Sequence, residues 1–261
     1  MRHLRLVGLF FKISILNEMQ YRANFFTEIV QSILSTLLAL GGLAIVYDHT
    51  TTLNGWTSAD LLAIVGIYFF FGGLIRTAIQ PSMQRLMQDI REGTLDYAII
   101  KPIETQFYIS FREIKIWKVL DIVIGIALFF IALARMHVEL DPANLLVFVV
   151  LLVSGGLIVY SFWLMLATIT FWFIRVDNIL VIFQTMYEAG RWPVRIYPAW
   201  MQFILTFIVP VAFAVTVPVE AMTDRLSLET FLLSIGLAFA MLFISHRFWR
   251  LGIRSYSGAS A

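Results

Sequence analysis

The chain has 261 residues, 60% of them hydrophobic and only 14% charged. A soluble domain carries about a quarter charged residues, so this composition indicates a polytopic helical membrane protein. A net charge of +2 carries no nucleic-acid signal, and the lack of cysteine excludes disulfides, thiolate catalysis and cysteine-based metal sites.

Residues 1–24 begin like a signal peptide, but Lys12 interrupts the apolar run and no small-residue cleavage site follows. Arg2, Arg5 and Lys12 fall within about 80° on a helix, which predicts an interfacial helix with its basic side to the headgroups. A bilayer core needs about 20 apolar residues per helix. Phe25–Tyr47 and Ser58–Gln80 supply the first two spans.

A polar stretch follows, Ser82–Glu104. Pro81 is expected to end the preceding helix, with Ser82 as the N-cap of a new one. Met83, Leu86, Met87 and Ile90 then form one apolar stripe at i, i+3, i+4, i+7. Gly93 stands where a helix C-cap favours glycine. A short amphipathic helix on the water side of a membrane protein has a face to offer a partner's groove. The apolar run Tyr97–Ile100 also exceeds what a solvated loop requires.

Lys118–Ala134 is a shorter third span and Ala143–Phe173 a long fourth. Between them His137, Glu139 and Asp141 alternate as in a solvated loop rather than a metal site. The stretch Val176–Val219 admits two readings. Either Val176–Ile196 is a cytoplasmic amphipathic helix and Ala199–Val219 the fifth span, or Val176–Trp192 is a short fifth span and Tyr197–Val219 dips into the outer leaflet and returns. Pro193, Pro198, Pro210 and Pro218 favour short broken helices, tolerated at membrane depth where protein covers them. Leu228–Trp249 is the last span.

Lysine and arginine number four up to Arg22, seven from Arg76 to Lys118 and three from Arg247 onward, against none in Asp48–Thr57 and one in Arg135–Asp141. The basic segments are expected on the cytoplasmic side. Both termini and the Ser82–Glu104 stretch then share that side, and the number of crossings is even, most simply six. Few ionisable groups lie deep in a span. Glu28, Asp60, Arg76 and Asp121 sit near span ends, where snorkelling is cheap. Gln184 and Glu188 are the possible pathway residues. No G-x-x-x-x-G-K-[ST] motif is present, so the chain holds no P-loop for ATP.

Three features together resemble the permease subunits of ABC-2-type exporters, and within them the subgroup with two non-identical permeases and a separate ATPase. They are Arg91-Glu-Gly-Thr-Leu-Asp96 with Lys101-Pro102-Ile103; then Pro193, Tyr197-Pro198-Ala-Trp200, Phe207-Ile-Val-Pro210 and Val217-Pro218; and the ending Leu251-Gly-Ile-Arg-Ser-Tyr-Ser-Gly-Ala-Ser260. The resemblance implies one all-α permease domain over 1–261, with six transmembrane helices and an N-terminal connecting helix. It implies a coupling helix whose docking residues are Met83, Arg85, Leu86, Met87, Gln88, Asp89, Ile90, Arg91, Glu92, Gly93 and Asp96. It also implies re-entrant outer helices in 193–219, with Pro193, Tyr197, Pro198, Trp200, Pro210 and Pro218 at an outer gate, so the second reading of Val176–Val219 is adopted. The implied partners are two ABC ATPase subunits carrying ATP and Mg, a second permease and the lipid bilayer, in a plasma (inner) membrane. The competing reading is a self-contained carrier or channel driven by an ion gradient, which needs paired charges inside the membrane.

Overall fold

The computed structural model describes residues 8–12, 14–16, 22–136, 141–173 and 177–256. Gly8–Lys12 and Ser14–Leu16 are helical. Arg2, Arg5, His137, Glu139 and the last five residues, which end the resembling tail, lie outside the described residues. The long helices are α1 (Arg22–His49), α2 (Ser58–Leu74), α6 (Val119–Met136), α7 (Pro142–Thr168) and α11 (Leu228–Arg254). Shorter pieces are α3 (Gln80–Glu92), α4 (Asp96–Ile99), α5 (Thr105–Phe111), α8 (Asp177–Glu188), α9 (Ala199–Phe203) and α10 (Val211–Met222). Among the described residues, five helical stretches are long and apolar enough to cross a membrane, or six if a bent pair is counted.

The break expected at Pro81 does not occur. Residues Ser58–Glu92 form one 35-residue helical stretch, ~52 Å long at ~1.5 Å per residue against a ~30 Å hydrocarbon core. Pro81 lacks the N–H that would bond the Thr77 carbonyl. The chain widens there into a π-turn, Ile75–Ile79, and the Lys115 N–H bonds Thr77 O instead (2.8 Å). With the Thr77 carbonyl partnered in this way, the helical stretch continues through Pro81 to Glu92. Ser82 is therefore no cap: it is fully buried, and its hydroxyl donates to Glu113 O (3.0 Å). Gly93 does end the helix, in the left-handed region at φ 69°, where its N–H bonds back to Asp89 and Ile90 carbonyls.

Two ends of the bundle can be told apart. At the Trp56 end, Thr57 and Asp60 cap α2 reciprocally, and Arg225 reaches across to Gly55 O and Asp60 (both 2.8 Å). At the Gly93 end, α1 starts beside Lys118, which pairs with Glu28, and α11 finishes with Tyr256 against Phe171. The centre is the α2–α6 pair. A Cβ on Gly66 would lie 2.6 Å from Phe129 N, and one on Gly125 2.3 Å from Phe70 N. Glycine here lets two backbones approach directly, as close helix pairs in membranes require. Gly155 does the same for α7 against Phe213 of α10. Outward faces of α1 and α11 remain apolar and exposed, with Leu37, Leu38, Phe239 and Phe243 among them.

The proline-rich segment folds into short pieces. After α8, turns at Ala189–Arg191 and Val194–Ile196 lead to α9, a second π-turn at Ile204–Ile208, and α10. The α9 stretch and α10 meet at 98°. Arg195, just before α9, pairs with Glu220 near the end of α10 (3.3 Å). Arg225 then ties the exit to the Trp56 end. The corner at Val209 and Pro210 packs deeper, beside Ile75, Phe162 and Tyr187. These ion pairs bring the start of α9 and the end of α10 together, so the two form a bent hairpin. α8 lies along the Ser58–Glu92 stretch, where Gln80 donates to Gln184 (3.1 Å) and the Tyr187 hydroxyl donates to Tyr68 O (2.8 Å).

Candidate functional site

At the Gly93 end, the segment expected to couple turns its apolar face inward. Met83, Leu86 and Met87 are fully buried in this chain's own core, and Ile90 packs against it. The stripe needs a groove, as periodicity predicted, and the bundle supplies it. Asp89 is also buried: it pairs with Arg112 (2.6 Å) and Arg85 (3.2 Å) and accepts from the Thr94 hydroxyl (3.2 Å). These contacts clamp the turn after Gly93 onto the helix, so Met83, Leu86, Met87 and Asp89 are positioned to hold the segment rather than to touch a partner. Arg85, Arg91, Glu92 and Asp96 are exposed, and Gln88 donates to Glu92 (2.8 Å).

Beside these residues lie exposed side chains that the expected docking set does not include. Tyr97 is 71% exposed and Ile100 77% exposed, with Ile99 beside them, in a turn flanked by Asp96 and Lys101. Two large apolar side chains thus stand exposed in a short turn between charged residues. The signal for them was the unexplained apolar run Tyr97–Ile100. Tyr256 braces this tip from behind, facing the backbone of Leu95 and Asp96. Burial, and then the Asp96 charge, push its phenol pKa up.

A second feature lies inside the bundle. A polar cavity of ≈ 140 Å³ opens between α1, α2, α6 and α8. Arg76 donates twice to Asp121 Oδ2 there, from Nη2 (2.9 Å) and Nε (3.2 Å). Asp121 stands in the first turn of α6, near a span end as expected, yet only 3% of its side chain is exposed, against 23% for Arg76. Gln184 and Glu188 line the same cavity, as do Ser32 and Arg191. Gln80 donates to Gln184 (3.1 Å), and the Arg191 guanidinium sits 5.3 Å from the Tyr68 ring centre. Ser32 Oγ and Asp121 Oδ1 have no protein partner among the described residues. Gln184 and Glu188 thus share one cavity with the Arg76–Asp121 pair. Among the described residues no cluster of three or more acidic or histidine side chains could hold a metal.

The expected gate residues surround the hairpin. Tyr197 donates to Ala189 O (2.9 Å), Pro198 precedes α9, and Trp200 is exposed. Pro210 makes the corner, Pro193 opens the turn before α9, and Pro218 is buried within α10. A family model described as ABC-2 family transporter protein matches residues 19–260.

The chain belongs to the ABC-2 transporter family.

It is thus a membrane permease of an ABC-type transporter, a class whose membrane components work with ATPase partners. No match was found among curated proteins or among solved structures.

Proposed function

We propose that this ABC-2 permease is one half of an exporter, pairing with a second, non-identical permease and driven by two ATPase subunits at the Gly93 end. The observation that carries the reading is the exposed Tyr97–Ile100 tip beyond the end of a 35-residue helix. Lysine and arginine cluster at this end and in the N-terminal segment, which supports a cytoplasmic placement. The Trp56 end and the α9–α10 hairpin then face outward, in a plasma membrane.

In this mechanism the ATPases close on ATP and push the tip. The push travels along α2–α3 as a rigid lever, because the Asp89 clamp and the Thr77–Lys115 bond leave no hinge at Pro81. Transport requires that substrate bind the inward- and outward-facing states with different affinity. The α9–α10 hairpin, tied by Arg195–Glu220 and Arg225–Asp60, forms the outer gate. Replacing Tyr97 and Ile100 together by aspartate should leave the folded yield unchanged and cut ATPase copurification by at least about tenfold, since buried aromatic and aliphatic anchors dominate such interfaces. Undiminished copurification would remove the tip from the docking surface.

A second reading keeps the buried Arg76–Asp121 pair in view, because paired intramembrane charges are what an ion-driven carrier needs. Export that persists when ATP is depleted, but collapses with the proton gradient, would favour it.

A further inference from the structure

Two cavities adjoin at the Gly93 end and share three residues, Glu104, Gln106 and His246. One is apolar, ≈ 490 Å³, walled by Phe71, Leu74, Phe107 and Leu157 between α2, α5, α7 and α11. The other, ≈ 430 Å³, is lined by Arg250 and Arg254. These arginines and His246 are spaced by four residues and so fall on one face of α11. At the waist, His246 Nδ1 lies 2.7 Å from Gln106 Oε1, and Gln106 and Ser110 both reach the Tyr160 hydroxyl (3.4 and 2.8 Å). The waist's polar groups are thus satisfied by one another, and the apolar wall beyond them is continuous.

We infer that this double cavity binds an anionic phospholipid, its acyl chain in the apolar chamber and its phosphate on Arg250 and Arg254. The apolar chamber falls in the range of about 300–1,000 Å³ typical of ligand pockets. Its aromatic and aliphatic walls exclude a polar occupant. The guanidinium fork matches a phosphate bidentately, and two arginines outweigh the single opposing carboxylate of Glu104. The charged chamber lies at the last turns of a spanning helix, the depth at which headgroups sit. The site does not depend on ATPase docking or on the direction of transport.

The test is native mass spectrometry of the full-length protein, delipidated in detergent with the partners it retains, and titrated with phosphatidylglycerol or phosphatidylcholine. One saturable phosphatidylglycerol per chain is expected, bound at least about tenfold more tightly than phosphatidylcholine, because each interfacial arginine contributes about fivefold. Arg250→Glu with Arg254→Glu should abolish that preference. Gly156, which also lines the apolar chamber, has room for a Cβ, its nearest neighbour being Phe71 at 3.5 Å. Gly156→Ala should therefore keep binding, whereas Gly156→Leu should fill the chamber and weaken both lipids alike. Circular dichroism and monodisperse elution certify the fold of each variant. Glycerol phosphate, a head without a chain, should not displace the lipid. Equal displacement by glycerol phosphate would overturn the proposal, as would unchanged preference in the double arginine variant. A change of oligomeric state rather than of lipid binding in Gly156→Leu would show instead that a second chain fills the groove.

Discussion

Asp89 shows how far a residue's role depends on what covers it. Its position in a charged amphipathic segment made it a docking candidate, yet it is buried between Arg112 and Arg85. Removing one partner of a buried ion pair costs about 3–5 kcal/mol, because the other charge is stranded. Asp89→Ala should therefore lower the thermal midpoint of the purified permease sharply, and Asp89→Leu combined with Arg112→Met should recover most of the loss. A thermal-shift series reads both; wild-type stability in Asp89→Ala would show the pair to be incidental. Gly93 is the complementary case, since its left-handed backbone was legible from its place after the stripe. Gly93→Ala should cost about 1 kcal/mol, the penalty of a Cβ in that region. The Arg76–Asp121 pair was not legible. The two residues lie 45 positions apart in the chain, and only packing of α2 on α6 reveals that they meet.

At the scale of elements, periodicity identified the stripe Met83, Leu86, Met87 and Ile90 but could not say whether a partner or the bundle receives it. Pro81 misled for a related reason. Its helix-breaking effect comes from a missing N–H and a clash, and both are local. The rescue is not local: Lys115, 38 positions away from Thr77, supplies the N–H. Spans α1, α2, α6, α7 and α11 were legible because a run of about 20 apolar residues has few alternatives. The α2–α6 seam supplies a test of the central packing. A Cβ on Gly125 would meet backbone at 2.3 Å, and backbone cannot rotate away as a side chain can. Gly125→Ala should force the helices apart at a cost of about 1–3 kcal/mol, whereas Gly41→Ala, with nothing within 4 Å of its Cβ, should be neutral. Folded yield after detergent extraction separates the two; equal yields would mean that α2 and α6 do not meet at Gly125.

For the whole molecule, the chain combines an ABC-2 permease fold, a 35-residue helical stretch followed by the exposed Tyr97 and Ile100, and a polar cavity between apolar helices. The central claim is that the tip is where ATP hydrolysis elsewhere is converted to movement here. The most direct measurement is affinity purification of the tagged full-length chain from its native host, with identification of the copurifying proteins and assay of their ATPase activity. The account predicts that a P-loop ATPase copurifies with the wild-type chain in stoichiometric amount, and that the Tyr97→Asp, Ile100→Asp variant loses it while eluting as a folded membrane protein. A wild-type chain that purifies without any ATPase, or a tip variant that keeps its ATPase in full, would contradict it.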